Sequence, residues 1–238
     1  MKSIPCFLVL LMLGQVPRLL ADELGELIFS DDFERVESQE ERDDPGNGWG
    51  TNSKSRAKGD KQVDLREGTM AIYLSPQADH AVSVTHPAEF TDGAVQMRFK
   101  LEDAKDSLGL DFADLDYKPV HAGHLFVTRI NPTTVTLSDL KTGGMDLAIR
   151  EAREAGTLTP EQKKLLASKD KKIPHVLEIG QWHELLVVVA GESLTLSIDG
   201  KEVGSFSSEG FAHPTKKTLR LSVPRNAAVD DVKIWRKS

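Results

Sequence analysis

The sequence runs to 238 residues, with 30 Lys+Arg against 37 Asp+Glu for a net charge of −7, and is 39% hydrophobic and 28% charged. That is a globular composition, long enough to bury a core without covalent staples, which excludes disordered and fibrous classes. The acidic balance argues against a general nucleic-acid binder, which needs a basic face.

Residues 1–21 read as a secretory signal peptide. Lys2 is the only early charge, residues 4–13 are an apolar run, Gly14, Gln15 and Pro17 break it, and Ala21 precedes Asp22 and Glu23. The run is too short to span a bilayer, which takes ~20 apolar residues. Cleavage there leaves residues 22–238 as one secreted or periplasmic domain with a net charge of −9 and no membrane span. The only cysteine is Cys6, inside the leader, so the remaining chain has no disulfide, thiolate nucleophile or cysteine-bound zinc.

From Leu27 onward the pattern is alternating. In residues 94–101, Val95, Met97, Phe99 and Leu101 fall on one side and Gln96, Arg98 and Lys100 on the other, the period of a strand covered on one face. Further strands are expected at 69–74, 81–85, 108–113, 124–130, 133–137 and 182–189. Leu194, Leu196 and Ile198 alternate up to Asp199-Gly200, a hairpin turn leading into 201–206. Leu219, Leu221 and Val223 alternate with Arg220 and Ser222, and Val232 and Ile234 mark a last strand. Many short strands between Gly, Pro and Asn turns predict an all-β sandwich of two antiparallel sheets.

One stretch departs from that period. Residues 145–155 are rich in Ala, Arg and Glu, and Gly156 stops them. Thr159-Pro160-Glu161-Gln162 then supplies an N-cap, a first-turn proline and the Gln of a capping box, predicting a second helix to about Lys169. The pair, about 145–169, is expected as a short helical insertion at the sandwich edge. Residues 36–62 are polar and Gly-rich and read as a long loop around Trp49.

His121-Ala122-Gly123-His124 is the densest histidine pair and the candidate catalytic or metal site, with Asp111, Asp114 or Asp139 as partners. An i, i+3 pair sits on opposite faces of a strand, so it functions only if Gly123 turns the chain. The competing reading is two loop histidines bonded to backbone. Arg98, Asp111, Arg129 and Asp139 are candidates for binding a polar ligand, and Trp49 is the ring expected to be exposed for stacking.

The order of 27–34, Trp49, 64–70, Gly180-Gln181-Trp182-His183-Glu184, Ile198-Asp199-Gly200 and 228–235 resembles the concanavalin A-like lectin and glucanase superfamily, closest to its secreted bacterial laminin-G-like or 3-keto-disaccharide hydrolase type. The resemblance implies a jelly roll whose concave face handles carbohydrate. Three roles follow from it as alternatives: a carbohydrate-binding domain, a sugar-active hydrolase or lyase using His121 or His124 as base, or a structural module of the cell envelope. It also implies a structural calcium, for which Asp32, Asp230 and Asp231 are the candidate ligands. The Glu-x-Asp-x-x-Glu run of the family-sixteen glucanases, which sets two carboxylates on one face, is absent.

Overall fold

The computed structural model describes residues 23–237. The expected leader lies outside the described residues. Fifteen strands form two antiparallel sheets. The eight-stranded sheet runs β13 (Lys201–Ser207), β12 (Ser193–Ile198), β11 (Trp182–Ala190), β6 (Asp92–Lys100), β15 (Asn226–Lys237), β4 (Thr69–Tyr73) and β3 (Val63–Arg66), and β1 (Glu26–Asp31) also pairs with β15. The seven-stranded sheet runs β10 (Asp170–Pro174), β9 (Thr134–Asp139), β8 (His124–Asn131), β7 (Leu108–Ala113), β14 (Lys216–Val223), β5 (Val82–Phe90) and β2 (Gly50–Thr51). The sandwich of two antiparallel sheets predicted from period-two alternation is the architecture found, in the jelly-roll form that the resemblance implies.

Side-chain alternation fixes which face of each strand looks inward. On β6, Val95, Met97 and Phe99 are fully buried; on β7, Leu108, Leu110 and Phe112; on β14, Leu219, Leu221 and Val223. Leu185, Val187, Val229 and Ile234 flank the β6 set in its own sheet and with it face the β7 and β14 set across the interior. Phenylalanines fill the space between the layers. Phe112 and Phe126 stack with centroids 4.7 Å apart, and Phe126 meets Phe211 edge-on at 5.2 Å. Each such ring contributes about 1.5–3 kcal/mol by leaving water.

The Asp199-Gly200 hairpin forms as expected, with both residues at positive φ, 52° and 72°. That is the twist-compatible two-residue turn. Both predicted helices are present. A four-residue helix, α1 (Ser53–Arg56), lies in the loop before β3. Helix α2 is Leu147–Glu154, with the Asp146 side chain accepting from Ile149 N. Helix α3 is Pro160–Ser168, with the Thr159–Gln162 capping box complete. They connect β9 to β10 at the edge of the seven-stranded sheet. The start of α2 is stitched to the 119–121 segment by His121 N to Met145 O (2.8 Å) and Leu147 N to Pro119 O (3.1 Å). Sequence reading missed β10, whose Asp170-Lys171-Lys172 start carries no apolar alternation. Among the described residues no helix is long and apolar enough to cross a membrane.

Phe126→Ala removes a fully buried ring stacked on one neighbour and edge-on to another. It is expected to lower unfolding free energy by about 3–5 kcal/mol, read as a shifted denaturant midpoint with an unchanged slope.

Candidate functional site

The outward face of the seven-stranded sheet carries a polar row. Leu110 and Phe112 point inward, so Asp111 points out; Leu219 and Leu221 point inward, so Arg220 points out. β14 and β7 pair with Arg220 directly opposite Asp111. His124 joins them through a bulge. The β7–β8 register shifts between Phe112 and Ala113, leaving Leu125 as the extra, buried residue and His124 opposite Ala113. That shift carries His124 to the same face as Asp111, the re-aiming that bulges produce.

The three side chains interlock. His124 Nδ1 lies 2.5 Å from Asp111 Oδ2. Arg220 Nη1 lies 3.0 Å and 3.2 Å from the two ring nitrogens of His124 and 3.4 Å from Asp111 Oδ1. Asp111 is 5% exposed, so its charge is held by partners rather than by water. With Asp111 accepting the Nδ1 proton, Nε2 is left as the proton-accepting nitrogen.

A cleft of about 560 Å³ opens over this row. Its floor comes from β7, β8 and β9, including Asp111, His124, Arg129 and Ser138; its wall is the helical insertion, through Met145, Arg153, Leu166 and Lys169. Asp139 anchors that wall. It accepts from Ser208 Oγ (2.5 Å), Thr142 Oγ1 (2.5 Å) and Gly210 N (3.1 Å), with Lys169 Nζ at 3.5 Å. Burial would raise the Asp139 pKa, but the hydrogen bonds from Ser208 and Thr142 and the charge of Lys169 outweigh it and hold the carboxyl below its usual value.

Four sequence candidates, Asp111, His124, Arg129 and Asp139, therefore line one cleft. His121 sits beside it. Ala122 and Gly123 both take positive φ, 49° and 70°, and turn the chain so that the His121 and His124 rings lie 6.4 Å apart. A Cβ at Gly123 would fall 2.4 Å from the carbonyl oxygen of Asp114, so only glycine fits this turn. Desolvation, then the neighbouring charges of Arg150 and His124, lowers the His121 pKa.

Other expected placements are corrected. Arg98 lies on β6, in the other sheet, because β6 pairs with β11 and β15. Its guanidinium bonds Asp230 (3.0 Å) and sits 5.0 Å from the centre of the half-buried Trp182 ring. Trp49 is not an exposed platform. It is 7% exposed, its Nε1 donates to Asp31 (2.8 Å), and it packs against Phe29, Phe33 and His86. The polar composition around it hid this aromatic cluster.

The terminal strands do lie side by side, with Asp31 opposite Val232. They do not gather Asp32, Asp230 and Asp231 into one ligand set. Asp32 and Asp231 edge a hollow shared with the cations Arg35 and Lys233, and Asp230 turns to Arg98 instead. Among the described residues the one acidic triplet with ligand spacing is Glu37, Glu40 and Asp64. Lys61 Nζ sits among them, at 2.7 Å, 3.4 Å and 2.7 Å.

Several cleft residues escaped the sequence reading. Arg220 was legible as outward-facing, but its position beside Asp111 depends on pairing residues about a hundred positions apart. Arg153 and Lys169 fell within the helical insertion without being assigned to a site, and they form the cleft wall.

No protein-family profile matches the sequence, and no curated protein matches it. Solved structures do. SCLam, a non-specific endo-beta-1,3(4)-glucanase from family GH16, superposes with TM-score 0.55 at 14% identity, covering 90% of this chain and 91% of that one. The laminarinase from Rhodothermus marinus gives TM-score 0.58 at 12% identity, with 89% and 97% covered. The carbohydrate binding module CBM66 from Bacillus subtilis gives 0.50 at 11%, with 78% and 93% covered. The chain thus has the concanavalin A-like jelly-roll fold, shared with glucanases and with a carbohydrate-binding module. At these identities the likeness is one of fold.

Asp230, on β15 of the eight-stranded sheet, links folding to pH. Burial, then the charges of Asp231 and Glu34, raises its carboxyl from 3.8 to about 6, against the pull of Arg98. The folded state therefore holds this proton more tightly than the unfolded chain, so the stabilisation is full below pH about 4 and is lost as pH rises through about 6. Asp230→Asn is expected to remove that fall between about pH 4 and 6, visible as a flatter melting temperature across the window.

Proposed function

We propose that this is a carbohydrate-binding jelly-roll domain whose glycan site is the cleft over Asp111, His124 and Arg129. One observation carries the reading. The fold, common to glucanases and a carbohydrate-binding module, brings four polar side chains into a single open cleft on one sheet face. Sugar hydroxyls are recognised by such convergent donors and acceptors on a preformed surface. Val127, Leu140, Met145 and Leu166 supply the apolar contacts for ring faces. The reading is supported further by what the cleft lacks for retaining hydrolysis. That reaction needs two carboxylates about 5–5.5 Å apart, one of them free to attack. Asp111 is engaged by His124 and Arg220, and Asp139 by five donors on Thr142, Lys169, Ser208 and Gly210.

A second reading, turnover of a sugar substrate, rests on the 2.5 Å contact between His124 and Asp111. A histidine fixed by a carboxylate is the arrangement of a general base. In that reading His124 Nε2 takes a proton from the substrate carbon or hydroxyl, and Asp111 stabilises the ring as it becomes positive. The export signal read in residues 1–21, and with it a secreted or periplasmic location, fits either reading.

His124→Ala and Asp111→Asn are expected to weaken oligosaccharide binding at least about tenfold, measured by titration calorimetry, with circular dichroism unchanged. Arg98→Ala, on the opposite sheet, is expected to bind as the unaltered protein does. Equal affinity in all four proteins overturns the assignment of the cleft. Release of product from a 3-keto-glycoside, abolished by His124→Ala, selects the enzyme over the binding domain.

A further inference from the structure

The charge inventory of the cleft is lopsided. Asp111 and Asp139 are spent on internal partners. Arg129 and Arg153, by contrast, have no carboxylate within salt-bridge reach among the described residues, although the protein as a whole carries a net charge of −7. Most other arginines of the described residues are paired: Arg35 with Asp31, Arg56 with Asp79, Arg98 with Asp230, Arg150 with Glu154, Arg220 with Asp111, Arg225 with Asp106 and Arg236 with Glu26. Arg129 and Arg153 are left free in the same hollow.

They are also placed for one ligand. Arg153 projects from α2 on the wall and is steadied by Nη2 donating to Gly144 O at 3.1 Å. Arg129 rises from the floor on β8. Its register partner Thr136 is in turn opposite Lys172 on β10, which puts a further cation in the same outward row. The single uncommitted carboxylate at the rim is Asp170. Among the described residues no Phe, Tyr or Trp ring lines the cleft to stack on a sugar face, the usual source of affinity for a neutral glycan. Guanidinium groups bind planar or tetrahedral oxyanions through paired N–H donors, and such charge-assisted bonds are about twice as strong as neutral ones.

We propose that the ligand of this cleft is an acidic oligosaccharide, with Arg129 and Arg153 gripping a carboxylate or sulfate substituent from floor and wall. The inference rests on the glycan reading above and names its substrate class. Carboxylate and sulfate share the recognition chemistry, and the experiment separates them.

The test is calorimetric titration of the whole protein with three ligands: a neutral glucose tetrasaccharide, the same tetrasaccharide carrying glucuronate units, and its sulfate ester. At least one acidic form is expected to bind about tenfold or more tightly than the neutral form, and the advantage is expected to shrink with added salt. Arg129→Gln with Arg153→Gln is expected to erase the advantage, so that acidic and neutral forms bind alike; Arg129→Lys with Arg153→Lys is expected to keep part of it. Arg66→Ala, an exposed arginine on the other sheet, is the charge-matched control and is expected to change nothing. Neutral binding equal to acidic binding, or an acidic preference that survives the double glutamine variant, overturns this inference and leaves the glycan site standing. Failure of all three ligands to bind counts against the glycan reading itself and takes the inference with it.

Discussion

Burial of Leu110 and Phe112 on one side of β7 is the constraint on which the site depends. A strand has two faces, and a residue between two fully buried neighbours is driven to the other one. Asp111 is thereby committed to the outer surface, and Leu219 and Leu221 do the same to Arg220 on the adjoining strand. The interior does not merely stabilise the fold; it sets which strand residues of the cleft floor face outward. The bulge at Leu125 is the one departure from regular alternation on this floor, and it adds His124 to the row. A charged carboxylate nearly excluded from solvent is costly unless its partners are fixed, and here they are fixed by ladder hydrogen bonds rather than by flexible loops.

Fold and site differ in how far the sequence disclosed them. The sandwich was legible because alternation is local: β6 and β14 each announce their buried face within a few residues. The insertion was legible for the same reason, since helix-forming composition, the stop at Gly156 and the Thr159–Gln162 capping box all act within a few residues. Sheet membership was not. Nothing near Arg98 tells that β6 lies between β11 and β15 while Asp111 lies in the opposite layer. Strand β10 was hidden because its pairing with β9 does not depend on an apolar face. Trp49 was misjudged because its environment is assembled from Phe29, Phe33 and His86, brought in by the course of the chain.

The likeness to glucanases and to a carbohydrate-binding module separates architecture from chemistry. A shared jelly roll supplies a broad sheet face and rim loops; the reaction, where one exists, depends on which side chains occupy that face. In this chain the face holds a tightly bonded aspartate, a histidine and two free guanidiniums, with the acidic groups turned toward internal partners. The helical insertion, which connects β9 to the edge strand β10 and is tied down through Asp139, converts an open sheet into a walled one.

The last strand of that sheet has a consequence for self-association. An edge strand offers unpaired backbone groups to any passing chain, and a flat apolar edge invites stacking into fibres. β10 opens with Asp170, Lys171 and Lys172 and closes with Pro174, all four exposed to solvent. Two adjacent exposed lysines repel a like neighbour, and proline withholds a donor at the end of the ladder. The margin closest to the cleft is thus guarded against extension by a second copy, which keeps its entrance clear in a concentrated solution.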